Sequence, residues 1–237
     1  MPPLLLTLLL HAALTLDRVH EPLPLRALGA EAATAPIVVV LLHGRGAAGN
    51  DLVGLGQELL RDHPGAAVLV PAAPHPFGPG KAWIPSDLSG PSASPTRLRA
   101  AADDAVRRLW VTVTPRLGTP MRCNRVVVAG FSQGGRMAFE MAAGAPAGCH
   151  VRAIGILSGG SMNQLAFPRL PKGRSTPLVA LVAHGTLDTV VPMDVANAVR
   201  LALQGEGAQV TFVPFEAGHT IPPMARNALS ELVLAPN

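Results

Sequence analysis

The chain runs to 237 residues, with 49% hydrophobic and 14% charged side chains and a net charge of +4. A disordered chain is short of apolar residues and rich in charge, so this balance excludes one, and no apolar run reaches the ~18 residues of a membrane-spanning helix. The positive charge comes from 17 Arg and two Lys scattered along a chain with no Tyr and few Phe or Trp; the basic stripe with stacking aromatics that would read nucleic acid is missing.

In chain order, the first sixteen residues, MPPLLLTLLLHAALTL, pose a choice. Leu4 to Leu10 resembles the core of a secretion signal, but no Lys or Arg precedes it and the nearest small-x-small site, Ala33-Thr34-Ala35, lies far downstream. The expectation is a segment packed on the body of a cytoplasmic protein, with export as the alternative if residues 1–16 act as a signal. Thr15 to Leu28 is read as one or two antiparallel edge strands, so residues 1–30 are either an N-terminal segment or part of the sheet.

From Ile37 onward the pattern alternates. The uninterrupted apolar run Ile37–Leu42 suits a strand buried on both faces, and similar runs recur at Ala66–Val70, Val126–Ala129, Val151–Leu157, Leu178–Ala183 and Gln209–Val213. Helical spacing lies between them, as in Leu98, Ala102, Val106 and Leu109 on one face with Arg99, Asp103 and Arg107 on another. The order β, α, β, α predicts one α/β domain over residues 1–237, a mostly parallel central sheet flanked by helices on both faces. Ala72 to Pro95, dense in Pro and Gly around Phe77, Trp83 and Ile84, breaks the alternation as a long loop without secondary structure of its own. It follows the carboxyl end of a strand, where open α/β sheets bind ligands, and is read as a wall of a site.

Val126 to Ala129 runs straight into Gly130-Phe131-Ser132-Gln133-Gly134, a G-x-S-x-G between a strand and a helical stretch. A serine on so sharp a turn takes a strained backbone, and flanking glycines remove the Cβ atoms that would collide. Ser132 is therefore the candidate nucleophile. A serine hydroxyl is a weak nucleophile and needs a base and a group to orient that base. The chain order Ser, acid, His leaves three histidines. His150 precedes a strand and falls at the wrong end of the sheet; His184 comes before any suitable acid; His219 follows the last strand and is the candidate base. Asp188, after the strand Leu178–Ala183, is the candidate acid. Its rival Asp194 sits in the first turn of a predicted helix, where a carboxylate meets the helix dipole. The backbone N–H groups of Gln133 and of Arg45, in the glycine-rich turn after Leu42, are the candidate oxyanion donors. His43 is read as a structural residue.

These segments, LLHGRGAAGNDL, GFSQGGRMA, AHGTLDTVVP and EAGHTIP in this order, resemble the phospholipase/carboxylesterase family of α/β-hydrolases, which includes acyl-protein thioesterases, over about Ile37 to Leu234. The resemblance implies the α/β-hydrolase fold, a triad of Ser132, Asp188 and His219, and oxyanion donors at Arg45 and Gln133. Bacterial members share the Ala82-Trp83 pair, which implies that Trp83 borders the substrate pocket. The N-terminal thirty-odd residues depart from the family pattern.

The expected function is a serine carboxylesterase acting through an acyl-enzyme on Ser132, with Phe77 and Trp83 narrowing the pocket to short acyl chains. A thioester or lysophospholipid substrate is the alternative, and outside enzymes a silent hydrolase-fold binding protein. The partner is a small-molecule ester, with no nucleic acid and no integral membrane association; monomer and homodimer both remain open. No cofactor or metal is expected, since the Cys and His spacing fits no metal motif. Cys123 and Cys149 each lie nine positions before a serine at a strand end, Ser132 and Ser158. On neighbouring parallel strands they start at similar heights, within reach of a disulfide.

Overall fold

The computed structural model describes residues 20–90, 92–160 and 165–234; the choice posed by residues 1–16 lies outside them. All six apolar runs form strands: β2 (Val38–Leu42), β3 (Ala67–Pro71), β6 (Val126–Phe131), β7 (Ala153–Leu157), β8 (Val179–Gly185) and β9 (Gln209–Phe215). One edge strand precedes them, β1 (Leu25–Gly29). The main sheet is ordered β1-β3-β2-β6-β7-β8-β9. It is parallel except for β1, which runs antiparallel to β3. Five α-helices lie among the described residues: α1 (Val53–Asp62), α2 (Pro95–Val113), α3 (Gln133–Ala143), α4 (Met193–Gly205) and α5 (Pro223–Leu234).

Unbroken apolar strands arise because both faces of the sheet are covered, and the period of two divides each strand between them. Val38, Val40 and Leu42 pack with Leu98 and Leu109 of α2, Phe139 of α3 and Val199 of α4. Val39 and Leu41 pack on the other side with Leu59 of α1 and Leu229 of α5. The helical face read from Leu98, Ala102, Val106 and Leu109 is the buried face of α2. Removing a Val or Leu side chain from water contributes ~1.5–3 kcal/mol, so a polar substitution on either strand face destabilises.

Register then decides what meets at the sheet's carboxyl edge. Phe131 pairs with Leu157, Leu157 with Ala183, and Gly185 with Phe215. The turns that follow β6, β7, β8 and β9 therefore emerge side by side. At the opposite edge Val127 pairs with Ala153, and a cysteine stands four residues before each. Cys123 and Cys149 are joined in a disulfide with Cα atoms 5.3 Å apart, a link that contributes ~3 kcal/mol by restricting the unfolded chain.

The Ala72–Pro95 segment differs from its reading as a structureless loop. It holds a hairpin, β4 (His75–Phe77) and β5 (Gly80–Ala82), and a 3-10 turn at Ser86–Leu88. The hairpin is short, with Pro74 before it and Pro79 in its turn, so no apolar alternation marks it in the sequence. It is completed by a third segment: Gly46 N–H donates to the Lys81 carbonyl at 2.8 Å and Lys81 N–H to the Ala47 carbonyl at 2.8 Å.

A buried ionic network ties α3 to its surroundings. Arg136 and Glu140, both 1% exposed, pair at 2.7 Å, and Arg99 of α2 reaches the other Glu140 oxygen at 2.7 Å. Arg136 also donates to the carbonyls of Leu165 (3.2 Å) and Ala166 (2.6 Å) and lies 4.8 Å over the Phe167 ring. Burial pulls the Arg136 pKa down despite Glu140, so removing the carboxylate strands a desolvated charge. Glu140→Ala is expected to lower the unfolding free energy by ~3–5 kcal/mol, read as a shifted urea midpoint; a loss below ~1 kcal/mol would show that the pair is not coupled.

Candidate active site

Ser132 stands between β6 and α3 with φ 55° and ψ −119°, a left-handed conformation that costs a non-glycine residue ~1–3 kcal/mol. The neighbours enforce it. A Cβ on Gly130 would come within 2.2 Å of the Gly134 carbonyl oxygen, and one on Gly134 within 2.0 Å of the Leu42 oxygen. Only glycine lets the strand end, the helix start and the end of β2 approach this closely.

Asp188 and His219 come from adjacent turns. Leu187 N–H donates to the Ala217 carbonyl at 3.1 Å and Thr186 N–H to the Phe215 carbonyl at 2.8 Å, lacing the turn after β8 to the turn after β9. The result is a 2.7 Å hydrogen bond from His219 Nδ1 to Asp188 Oδ2. The His219 ring packs against Phe131, the residue before Ser132, with centroids 4.7 Å apart. Asp188 Oδ1 accepts the N–H groups of Val190 (2.9 Å) and Val191 (2.8 Å). Burial works against charge on Asp188, but the Val191 N–H, the His219 ring and the Val190 N–H outweigh it and hold the carboxyl below its ordinary range. Asp194 has no part in this cluster; it caps its own neighbour, Val195 N–H, at 2.8 Å in the first turn of α4.

The turn after β2 is held on three sides. A Cβ on Gly44 would stand 3.3 Å from Ser132 Cβ and 3.1 Å from Phe131 Cδ1, so this backbone passes directly beside the serine. The adjoining Arg45 N–H and the Gln133 N–H at the start of α3 have no hydrogen-bond acceptor among the described residues. Trp83 Nε1 donates to the His43 carbonyl at 2.8 Å, and the hairpin pairs with Gly46 and Ala47. His43 is a structural residue: Ala73 N–H donates to its Nε2 at 2.9 Å, which leaves the ring proton on Nδ1 for the Gly44 carbonyl at 2.8 Å. Burial lowers its pKa and keeps it neutral in this role.

The aromatic residues expected at the pocket occupy different layers. Trp83 exposes no surface. Rather than bordering a pocket, it stands behind the Gly44–Arg45 turn, because its indole N–H has a carbonyl to satisfy there. Phe77 is half-buried beneath the Arg45 guanidinium, 5.2 Å from the ring centroid. His184 is buried, donates from Nε2 to the Val191 carbonyl at 2.7 Å and lies 3.6 Å from Asp188 Oδ2. His150 precedes β7, at the far edge of the sheet.

Two side chains around the site escaped sequence reasoning. Gln133 Oε1 accepts Trp83 N–H at 2.8 Å, tying the residue after the serine to the hairpin. Ser158, buried with φ 46°, donates from Oγ to the Thr220 carbonyl at 3.0 Å and anchors the turn that carries His219. Its signal was available: Ser158-Gly159-Gly160 after an apolar run repeats the strand-to-turn pattern of Ser132.

Among solved structures, the esterase PE8 is 27% identical to this chain with a TM-score of 0.71, over 90% of this chain and 99% of that one. A phospholipase/carboxylesterase from Dyadobacter fermentans is 23% identical with a TM-score of 0.71, over 91% and 98%. The Bacillus cereus carboxylesterase, at 15% identity and a TM-score of 0.70 over 95% and 97%, shares the fold. The model of the phospholipase/carboxylesterase family matches residues 28–233, reaching upstream of the Ile37 limit of the quoted motifs into β1. With the mostly parallel sheet, the serine turn and a match spanning nearly all described residues, the chain belongs to the phospholipase/carboxylesterase family of α/β-hydrolases.

Proposed function

We propose that this chain is a serine carboxylesterase whose catalytic residues are Ser132, His219 and Asp188. The observation that carries the reading is the His219 ring, bonded to Asp188 at 2.7 Å and packed on the residue before Ser132. In this mechanism His219 Nε2 takes the Ser132 proton as Oγ attacks the ester carbonyl carbon. The N–H groups of Arg45 and Gln133 receive the oxyanion. Collapse breaks the bond to the alkoxide, which leaves as the alcohol after taking the proton from His219. Water, deprotonated by His219, then attacks the acyl-Ser132 ester, and the acid is released with the serine restored. Asp188 stays ionised, fixing the tautomer and stabilising the imidazolium. A silent binding protein has no need of a strained serine beside an ordered acid–base pair, which weighs against that alternative.

The hairpin bearing Phe77 favours short acyl chains of roughly two to six carbons, by the general rule that wall loops shape apolar pockets. One feature favours the runner-up: the exposed Arg45 guanidinium beside Phe77 suits a substrate with an anionic group, such as a lysophospholipid. A panel of chromogenic esters of increasing acyl length, run beside an acyl-thioester and a lysophospholipid, separates them. The highest kcat/KM is expected on a short ester, and Phe77→Ala is expected to extend the range. Highest efficiency on a sixteen-carbon ester, unchanged in Phe77→Ala, overturns the acyl-length assignment. Trp83→Ala is a poor probe, since truncating a buried Trp costs ~3–5 kcal/mol of stability.

The pH dependence follows from Asp188. A carboxyl with a depressed folded-state pKa contributes stability in full above its unfolded value of ~3.9, and loses it as pH falls through the lower folded value. In mild acid at about pH 5 the carboxylate is therefore still charged, so a loss of activity there is not assigned to Asp188. Wild-type kcat/KM is expected to fall on acidification with a single-proton limb while the fold persists. Residual activity of His219→Ala should lack that limb; a limb unchanged in this variant would assign it to another group.

A further inference from the structure

The amino edge of the sheet, where the proposed chemistry does not reach, carries a cavity of about 420 Å³. Arg122, Asn124, His150, Arg152, Arg174 and Thr176 are among its walls, and among the described residues neither Asp nor Glu is. Ordinary surface arginines are solvated or faced by carboxylates; Arg122 is exposed at the rim of this hollow, while Arg152 and Arg174 are partly withdrawn from water. Arg174 is half-buried and oriented by neutral partners, the carbonyls of Val151 at 2.9 Å and Thr176 at 3.3 Å. Burial lowers its pKa with no carboxylate acting against that shift. His150 Nδ1 is a buried atom without a hydrogen-bond partner among the described residues. The Cys123–Cys149 disulfide fixes the separation of the segments that bring Arg122 and His150 to the cavity.

We infer that this cavity binds an oxyanion of the phosphate class, free or as the phosphate of a small phosphorylated molecule or lipid headgroup. The chemistry is that of the Arg174 guanidinium held in place by carbonyls, with Arg122 and Arg152 in the same walls. Such groups present forked N–H donors to a tetrahedral oxyanion, and the anion supplies the negative charge the walls lack. Sequence reading passed over these residues because Arg122, His150, Arg152 and Arg174 belong to three different inter-strand segments, assembled only by the register of β6, β7 and β8. The cavity is remote from Ser132: six residues of β6 at ~3.3 Å each place them on the order of 20 Å apart.

The test is calorimetric titration of the full chain with sodium phosphate at constant ionic strength, against sodium chloride as control. Saturable binding at one site is expected for phosphate and not for chloride. Arg174→Gln should weaken it by at least about tenfold and Arg174→Lys, which keeps the charge, by less, with ester hydrolysis unchanged in both. The lysine variant distinguishes a lost ligand contact from a damaged fold. Co-sedimentation with phosphatidylcholine vesicles containing phosphatidic acid distinguishes the source. Pelleting that depends on Arg174 supports a headgroup, and phosphate binding without pelleting supports a soluble ligand. Absence of saturable phosphate heat, or affinity unchanged by Arg174→Gln, overturns the inference.

Discussion

Replacing Ser132 by Ala is expected to reduce ester hydrolysis by about four to six orders of magnitude while leaving the fold in place. The proposed nucleophile is one oxygen atom, and its loss leaves the hydrogen-bonded Asp188–His219 pair without the hydroxyl it is proposed to activate. Alanine retains the Cβ, so the backbone at φ 55° keeps its strain and the Cβ that lies beside the Gly44 turn is kept. Thermal unfolding should therefore change by no more than ~0.5 kcal/mol, the range of substitutions that remove no packed atoms. Glycine at the same position would also abolish activity but relieve the strained φ, so a more stable Ser132→Gly variant would show that the serine turn stores backbone strain. A Ser132→Ala enzyme retaining a tenth of wild-type kcat/KM would falsify the assignment of the nucleophile.

The central strands were legible because they are apolar runs, the pattern left by a sheet covered on both faces, whereas β9 at the sheet's edge alternates exposed Gln209 and Thr211 with Val210 and Phe212. Ser132 was legible because strand, glycine turn and helix are contiguous in sequence. The pairing of Asp188 with His219 followed from chain order alone, while the distance between them depends on the register of β8 with β9. What resisted reading was long-range or polar. The β4–β5 hairpin is completed by Gly46 and Ala47, more than thirty positions upstream; local alternation cannot announce such a strand pairing. Trp83 was expected at a pocket wall because the Ala82-Trp83 pair resembles that of bacterial family members. Its indole N–H settles the matter differently, since a buried donor must find an acceptor, and the His43 carbonyl supplies it from behind the turn. Arg136 and Glu140 have ordinary i, i+4 spacing, and only burial separates them from a solvated surface pair.

Asp188→Asn is expected to lower kcat/KM by ~10⁴-fold, although the side chains are nearly the same size. The orientation of the new amide is dictated by the turn. Two backbone donors, Val190 N–H and Val191 N–H, already occupy Oδ1 at 2.9 and 2.8 Å, so the amide oxygen must stay there and the NH₂ group must take the place of Oδ2. That group is a donor, and it faces His219 Nδ1. The ring can remain bonded only by moving its proton to Nε2, which turns the atom proposed to accept the Ser132 proton into a donor. The variant should thus be folded, substrate-binding and nearly inert. Asp188→Ala, which imposes no tautomer, should lose less than Asp188→Asn if the wrong tautomer dominates the defect. Nitrogen NMR of the His219 ring reads the tautomer directly: protonation at Nδ1 in the wild type at neutral pH and at Nε2 in Asp188→Asn. An Asn variant with Nδ1 still protonated, or with kcat/KM reduced less than tenfold, would remove Asp188 from its proposed role.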